Sequence, residues 1–496
     1  MTNPSANSLI VLAAFIIGAL TNYAYNISMG WLLTPEQYGM LGVSLSFLLI
    51  LSLFITSAFP LTVTKFISGE YNESIKHQVF KTSLIANIII AIILSALFYL
   101  GYITDIIKLG IDYYLLVLCI ILATLLTSAM VVYSGILQGT FRFKSFAYIG
   151  IIVLLIKLIF ALIFVQAGLK TFGALLALPI SVFIGLILTI ILTKDFTFYK
   201  TKGWAGSNVY FFALPMFFGT LAATLLMNID ILGVKFLTID SQSDTLSGYY
   251  RAALILAQLP MFLAGALMSV MFPYISKHTE NDQYSLKSIK YAALFILPIS
   301  LILAAVPESF ILIIFPVEYT AGAPALGIVA IGMGLLGMAT VFTRIFQARQ
   351  APMIPAVVLS ISVLIEIILL IYLIPEYGLV GAAASTTIAS ALGFFVLGIL
   401  YLRVFSYKLN FIVIIKTIVS FCLLVLLVYA SPDMGSAVFI AYLAVCGMVY
   451  VIVLAVFSLL TEEDVSIFIS GLPEHKNVVL MGDIITGLVK RLNRFF

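Results

Sequence analysis

Four charged residues lie within or at the ends of long apolar stretches, and they are the best candidates for chemistry in this sequence. Lys157 interrupts "VLLIKLIF", Glu366 interrupts "SVLIEIIL", Asp230 lies in "MNIDILG" and Arg251 lies in "GYYRAALILA". A charge at the centre of a membrane helix costs about 3 to 10 kcal/mol unless it reaches water or a partner. These side chains are therefore candidates for binding a charged substrate or a coupling ion.

The two signs of charge suggest two kinds of site. Lys157 and Arg251 are candidates for an anionic headgroup, because an arginine can donate two parallel hydrogen bonds to one phosphate. Asp230 and Glu366 could bind a proton or a cation. Two alternatives remain open: Asp230 could cap a break in a helix, and Arg251 could anchor a helix end at the interface.

Polar residues near the first apolar stretch complete the candidate site. Asn22, Tyr25 and Asn26 give the outer half of that stretch hydrogen-bonding capacity, which suits a helix that lines a wet cavity. We expect them to line the same cavity as the cations.

The sequence shows no constellation for catalysis, metal binding or cofactor binding. His77, His278 and His475 fall in polar segments, and the three cysteines are far apart in apolar stretches without CxxC spacing. A membrane enzyme usually needs acid–base or histidine chemistry in a sizeable extramembrane loop, and no stretch resembles a channel filter. We expect neither an enzyme nor a channel.

Composition places the elements that carry these residues in a membrane. The chain has 496 residues, of which 63% are hydrophobic and only 9% are charged, whereas a soluble protein has about 25% charged residues. The net charge of +4 is too small to indicate a nucleic-acid partner. The predicted class is an all-α integral membrane protein in contact with membrane lipids.

Fourteen apolar stretches have the length of about 20 residues that a membrane-spanning helix needs. They cover residues 9–33, 40–64, 79–101, 113–137, 146–168, 172–193, 208–234, 248–274, 287–306, 322–346, 353–374, 378–402, 410–430 and 435–459. The polar tail, residues 461–496, has apolar residues at helical spacing with basic residues among them. It predicts either a helix on the cytoplasmic leaflet or a solvated tail.

Lys and Arg predict the orientation. Of the 25, the loops after even-numbered spans and the tail hold 19, the opposite loops hold 4, and 2 lie inside spans. Because cytoplasmic loops are enriched in these residues, we predict that both termini are cytoplasmic.

An internal repeat divides the spans into two lobes. "GILQGTFRF" aligns with "RIFQARQAP", so that Gln138 matches Gln347, and "FGALLA" matches "VGAAAS" at nearly the same offset. We predict pseudo-symmetric six-helix lobes at residues 1–200 and 201–405, two further helices at 406–460 and the tail at 461–496. Six spans per copy imply parallel lobes with a site near their interface.

The same alignment pairs Lys157 with Glu366. We predict that the two side chains form an ion pair or share a watery cavity between the lobes. The alternative is that each charge is satisfied inside its own lobe.

Two stretches resemble a known family. "WLLTPEQYGMLGVSLSFLLILSLFITSAFPLTVTKFIS" and "FQARQAPMIP" followed by "LIPEYGLVGAAASTTIAS" are similar to the signatures of the polysaccharide repeat-unit flippases, such as those that export O-antigen. These belong to the MOP superfamily of multidrug, oligosaccharidyl-lipid and polysaccharide exporters. The resemblance covers spans 1 to 12 and extends to the common fourteen-span form.

The resemblance implies a two-lobed transporter in the cytoplasmic membrane that works by alternating access. It would flip a polyprenyl-(pyro)phosphate-linked oligosaccharide for polysaccharide biosynthesis, with Lys157 and Arg251 meeting the headgroup. It also implies polysaccharide assembly proteins as partners. The alternative is a cation-coupled multidrug antiporter of the same superfamily, in which Asp230 and Glu366 would be the coupling residues.

The predicted topology can be checked by labelling. Single cysteines in a chain without Cys119, Cys422 and Cys446 should react with an impermeant maleimide only from the cytoplasmic side when placed in 195–207 or 281–287. Labelling of either loop from outside intact cells would contradict the orientation.

Overall fold

The computed structural model describes residues 4–57, 59–69, 71–197, 214–238, 242–277, 282–405, 411–431 and 434–460. The predicted amphipathic tail lies outside these residues. The described chain consists of helices: α1 (Pro4–Leu32), α2 (Pro35–Thr56), α3 (Phe59–Ser68), α4 (Glu73–Ile103), α5 (Tyr114–Gly139), α6 (Phe143–Phe164), α7 (Lys170–Leu192), α8 (Lys194–Thr197), α9 (Leu214–Leu225), α10 (Ile229–Leu237), α11 (Ser243–Ala257), α12 (Leu259–Lys277), α13 (Gln283–Ala305), α14 (Pro307–Ile314), α15 (Ala323–Ala348), α16 (Met353–Val404), α17 (Phe411–Tyr429) and α18 (Ser436–Val456).

The helices confirm the predicted membrane class. Ten helical stretches of the described residues are long and apolar enough to cross a membrane, or eleven when the bent pair α9 and α10 counts as one span. Two of the ten, Phe143–Leu192 and Met353–Val404, have 50 and 52 residues. Each is twice as long as a single crossing requires. The total of fourteen spans stays a prediction.

Both of these long stretches are helical hairpins. Each is interrupted by a glycine in the left-handed region, Gly168 with φ 89° and Gly378 with φ 56°, which a residue with a side chain rarely adopts. Across the second turn, the Thr386 hydroxyl lies 2.7 Å from Glu366 Oε1. The two arms of α16 are therefore antiparallel, and the turn at Gly378 sets which of their residues meet.

One turn of the backbone recurs after 209 residues, at positions that the sequence alignment pairs. Phe141 and Gln350 both have positive φ, at 57° and 60°. The hydrogen bond from Arg142 N to Leu137 O recurs from Ala351 N to Phe346 O, at 2.8 and 2.9 Å. Since a positive φ is uncommon outside glycine, its recurrence at the aligned positions supports two copies of one unit. Below, the first half means α1 to α8 and the second half means α9 to α16.

The two halves differ at their first helix. Helix α1 continues from Pro4 to Leu32, whereas its counterpart is divided into α9 and α10, which meet at 48°. The span predicted over 208–234 is therefore bent within its described residues, as the alternative of a helix break near Asp230 expected. The break at 226–228 places Asp230 in the first turn of α10, where it can bond to backbone N–H groups that the helix leaves free.

Contacts between the halves concentrate at one end of the bundle. Trp31 Nε1 of α1 donates to the carbonyl of Ile314 at 2.9 Å. The Tyr319 hydroxyl lies 3.4 Å from the carbonyl of Leu33, and the Tyr38 and Tyr319 rings pack edge to face with 5.7 Å between centroids. Loops that the charge pattern assigned to the outer side thus meet at this end.

Helices α17 and α18 lie outside the repeat and pack against the second half. Tyr450 of α18 donates its hydroxyl proton to the carbonyl of Leu294 in α13 at 3.0 Å. Phe421, Leu424 and Val428 of α17 are buried with Leu294 in the same apolar cluster.

Candidate functional site

Lys157 is buried in α6, where its side chain is 6% exposed. Its ammonium group donates to Asn22 Oδ1 at 2.8 Å and lies 4.1 Å from the centre of the Tyr25 ring. Asn22 and Tyr25 are three residues apart on α1, so they share one helix face. An amide oxygen and the face of an aromatic ring both attract a cation, so Lys157 is satisfied without a carboxylate.

The neighbours of Lys157 lead to the second cation. Asn26 Nδ2 donates to the carbonyl of Asn22 at 2.8 Å, and the Tyr25 hydroxyl donates to the carbonyl of Ala174 at 3.0 Å. These bonds fix the orientation of both side chains on α1. Asn26 Oδ1 is then free to accept a bond, and Arg251 donates to it at 3.0 Å.

The bond from Arg251 to Asn26 joins the two halves, because Arg251 lies in α11 and Asn26 lies in α1. The side chain of Arg251 passes over Gly42 of α2, where a Cβ would lie 3.1 Å from its aliphatic carbons. We name Lys157, Asn22, Tyr25, Asn26 and Arg251 the cation cluster. All five are the residues that the sequence singled out for a headgroup site, and the structure brings them together.

The cation cluster has unused donor capacity. Arg251 Nε and the Tyr23 hydroxyl are buried and have no hydrogen-bond partner among the described residues. A buried polar group without a partner costs about 1 to 3 kcal/mol. An anion that enters the cation cluster would gain the Arg251 Nε donor without displacing an existing acceptor from it.

A second cluster contains the two acidic residues. Asp230 and Glu366 are both fully buried. Asp230 accepts hydrogen bonds from the Tyr250 hydroxyl at 2.8 Å and from the backbone N–H of Ile231 at 2.9 Å. The Thr386 hydroxyl lies 2.7 Å from Glu366 and 3.1 Å from Asp230. We name Asp230, Glu366, Tyr250 and Thr386 the acid cluster.

The hydrogen bonds of the acid cluster leave room for one proton or cation. Thr386 has a single hydroxyl proton, so it cannot donate to both carboxylates at once. Glu366 Oε2 is buried without a partner among the described residues. A protonated Glu366 could donate to Thr386, which would donate to Asp230; alternatively a small cation could bind both carboxylates. Two ionised carboxylates this close in an apolar interior would otherwise repel each other strongly.

One helix connects the clusters. Tyr250 bonds to Asp230 in the acid cluster, and the next residue, Arg251, bonds to Asn26 in the cation cluster. A change of charge at Asp230 would therefore act on Tyr250. Tyr250 directly precedes Arg251, which bonds across the two halves.

The predicted Lys157–Glu366 ion pair is not formed. Lys157 bonds to Asn22 of the first half, and Glu366 meets Thr386 of the second. Each charge is thus satisfied inside its own half, which is the alternative that the sequence left open. Asp230 accepts the N–H of Ile231 at the start of α10, as the helix-break alternative expected. It also lies 3.1 Å from the Thr386 hydroxyl that contacts Glu366, and its binding of a proton or cation stays a prediction.

The sequence analysis did not single out Tyr250 or Thr386. Tyr250 was detectable as the neighbour of Arg251. Thr386 was detectable from the hairpin, since residues 366 and 386 lie at equal distances from residue 376, next to the turn at Gly378.

The comparisons with known proteins identify the family. Residues 5–279 match the model of the family described as polysaccharide biosynthesis protein. This chain belongs to that family. It is a multi-pass membrane protein, and the proteins of known role that it resembles are flippases and transporters rather than enzymes.

Two relatives match over part of their length. The chain is 29% identical over 171 residues to the probable low-salt glycan biosynthesis flippase Agl15 of Haloferax volcanii, covering 33% of this chain and 35% of that protein. It is 23% identical over 297 residues to an uncharacterized membrane protein of Methanocaldococcus jannaschii, covering 57% and 54%. The chain thus spans about half or less of the curated relatives that it matches.

Solved structures show the fold. The lipid II flippase MurJ in an inward closed conformation superposes with a TM-score of 0.70 at 17% identity, covering 91% of this chain and 98% of that one. A multidrug resistance MATE family transporter in an inward-facing conformation gives 0.57 at 14% identity, covering 81% and 100%. A MOP superfamily transporter from Pyrococcus furiosus, described as having a binding pocket of reverse polarity, gives 0.56 at 14% identity, covering 80% and 96%.

Double-mutant cycles on the unfolding free energy of the purified protein can separate the two arrangements of Lys157. Lys157→Ala and Asn22→Ala should be coupled by about 0.5 to 3 kcal/mol, because they remove the two ends of one bond. Lys157→Ala and Glu366→Gln should be additive within about 0.5 kcal/mol. Strong coupling of Lys157 to Glu366, with none to Asn22, would contradict the bonding described here.

Proposed function

We propose that this protein is a flippase that moves a polyprenyl-(pyro)phosphate-linked oligosaccharide across the cytoplasmic membrane for polysaccharide biosynthesis or export. The family match and the likeness to a probable glycan biosynthesis flippase support this class of substrate. A charged headgroup with its sugars cannot cross hydrocarbon unaided, whereas the polyprenyl tail can stay in the lipid throughout. The protein therefore has to shield only the head.

The observation that carries the proposal is the bond from Arg251 to Asn26 across the two halves. A phosphate oxygen could replace Asn26 Oδ1 as the acceptor and also accept from the unpaired Nε, in the two-pronged geometry that arginine offers. Lys157, reached through Asn22 and Asn26, would contribute a second positive charge. Headgroup binding would then compete with one of the contacts between the halves.

The acid cluster is the proposed coupling site. Binding or loss of one proton or cation at Asp230 and Glu366 would change the charge that Tyr250 meets. Since Arg251 follows Tyr250 on α11, the change would alter the same junction that the headgroup contacts. The driving ion and the substrate would thus act on one helix, and each would shift the same conformational equilibrium.

The proposed arrangement in the membrane follows the sequence. Lobes at residues 1–200 and 201–405 would open alternately to the two sides, with both termini in the cytoplasm and the helices at 406–460 beside the second lobe. Proteins of polysaccharide assembly are the proposed partners. The described residues hold no group of three or more His, Cys, Asp or Glu suited to a metal ion, and the mechanism proposed here uses no cofactor.

A cation-coupled multidrug antiporter is the second candidate. The buried Asp230–Glu366 pair favours it, since an acidic pair can exchange a proton or a cationic drug, and MATE transporters share the fold. In that mechanism Lys157 and Arg251 would repel the substrate, whereas in the flippase they attract it.

Depletion in cells can distinguish the two functions. Cells that lose this protein should accumulate lipid-linked oligosaccharide on the cytoplasmic leaflet while its synthesis continues. Arg251→Ala should fail to relieve the accumulation, and Arg251→Lys should relieve it in part, because lysine lacks the planar donor pair. Lys108→Ala is the matched control, since Lys108 is exposed and lies outside both clusters.

The result should be read from extracted lipid-linked intermediates and, in parallel, from drug susceptibility. Sensitivity to cationic drugs without an accumulated intermediate would overturn the flippase proposal and support the antiporter. If the Arg251→Ala variant relieves the accumulation as fully as the wild-type protein does, Arg251 does not bind the headgroup.

A further inference from the structure

The halves approach each other closely at two glycines. Helices α2 and α11 meet at Gly39 and Gly248, where a Cβ on Gly39 would lie 2.7 Å from the backbone nitrogen of Gly248. It would come closer still to the carbonyl oxygen of Asp244, and a Cβ on Gly248 would overlap the carbonyl oxygen of Pro35. The obstructing atoms belong to the backbone, so no change of side-chain rotamer can make room.

A polar contact lies beside the glycine pair. The hydroxyl of Tyr113, in the first half, donates to the carboxylate of Asp244 in α11. Lys235 lies 2.8 Å from the same carboxylate and 5.0 Å from the centre of the Tyr113 ring. The side chains of Tyr113 and Lys235 are almost entirely buried.

The members of this contact differ in what they lose when the halves separate. Lys235 and Asp244 both belong to the second half, so their ion pair can persist. Tyr113 is the partner that crosses to the first half, and it would lose an ionised acceptor. A hydrogen bond to an ionised group is stronger than one between neutral groups. Tyr113 can reach Asp244 only when the backbones of α2 and α11 meet at the glycines.

We propose that Gly39, Gly248 and the Tyr113–Asp244 bond form the gate that closes the junction at the end where residues 34–39 and 244–251 lie. The inference rests on the alternating access proposed above and adds the device that sets the closed state. The glycines allow α2 and α11 to come into backbone contact, and the Tyr113–Asp244 hydrogen bond stabilises this closed state. By the predicted topology this end faces outward.

The gate accounts for residues that neither cluster uses. At this contact the backbones of α2 and α11 meet directly, and no side chain lies between them that could change rotamer. The two helices are therefore either in contact or separated, with no intermediate packing. A side chain at Gly39 or Gly248 would forbid contact without touching the cation or acid clusters. The closed state should then be lost although no headgroup or coupling residue has been substituted.

Distances across the gate test this inference. Lys108 and Glu318 are exposed and lie in the first and second halves, so spin labels at Lys108→Cys and Glu318→Cys in an otherwise cysteine-free chain report opening. Wild type should give mainly a short distance. Gly39→Ala and Gly248→Ala should each make a longer distance the major population. Gly150→Ala should match wild type, because no atom lies within 4 Å of its added Cβ.

Tyr113→Phe provides the second arm, because it removes only the hydroxyl. It should raise the ratio of open to closed distances about tenfold, as expected for loss of one hydrogen bond to a charged acceptor. Tyr102→Phe is the matched control, since the Tyr102 hydroxyl donates to Gly110 within the first half at 3.0 Å.

Wild-type distances in folded glycine variants would overturn the gate. If the glycine variants do not fold, wild-type distances in Tyr113→Phe would overturn it instead. The distance measurement needs no substrate. If the variants change the distances but the wild-type protein moves no lipid-linked sugar, the flippase proposal is refuted and the gate stands.

Discussion

Residues 244 to 251 of α11 must satisfy three sets of contacts at once, and the arrangement of the whole junction depends on this constraint. Gly248 touches α2, Tyr250 bonds to Asp230, and Arg251 bonds to Asn26 of α1. These contacts lie within two turns of one helix. A rigid helix cannot adjust them independently, so a change at one site is transmitted to the others.

The buried charges of the cation and acid clusters are satisfied largely by neutral groups. Lys157 meets an amide and an aromatic ring, and Asp230 meets a hydroxyl and a backbone N–H. Neutral partners stabilise a charge enough to keep it buried but do not neutralise it, so a ligand of opposite charge still gains from binding. Full ion pairs at these positions would leave less to gain, because breaking a buried pair is strongly unfavourable. Ion pairs do occur elsewhere in the bundle, as between Lys235 and Asp244 and between Lys76 and Glu73.

The sequence predicted the helical membrane class, the internal repeat and the members of the cation cluster, because hydrophobic length, offset and polar residues on one helix face are local signals. The Lys157–Glu366 pair was wrong for a physical reason. Pseudo-symmetry places the two residues at equivalent positions, which face equivalent neighbours in their own halves and need not face each other. Asn22 holds Lys157 and Thr386 holds Glu366. The contact of Gly39 with Gly248 depends on how two distant helices cross, and spacing within either stretch does not encode it.

The central claim is that positive charge at the lobe junction carries the phosphate head of a lipid-linked oligosaccharide across the membrane. The most direct measurement reconstitutes the purified protein in vesicles that contain such a lipid and follows how fast its sugars in the inner leaflet become accessible to a glycan-cleaving enzyme added outside. The account predicts movement with the wild-type protein and with Lys108→Ala, and its near-complete loss with Arg251→Ala. Equal rates for wild type, Arg251→Ala and protein-free vesicles would contradict it.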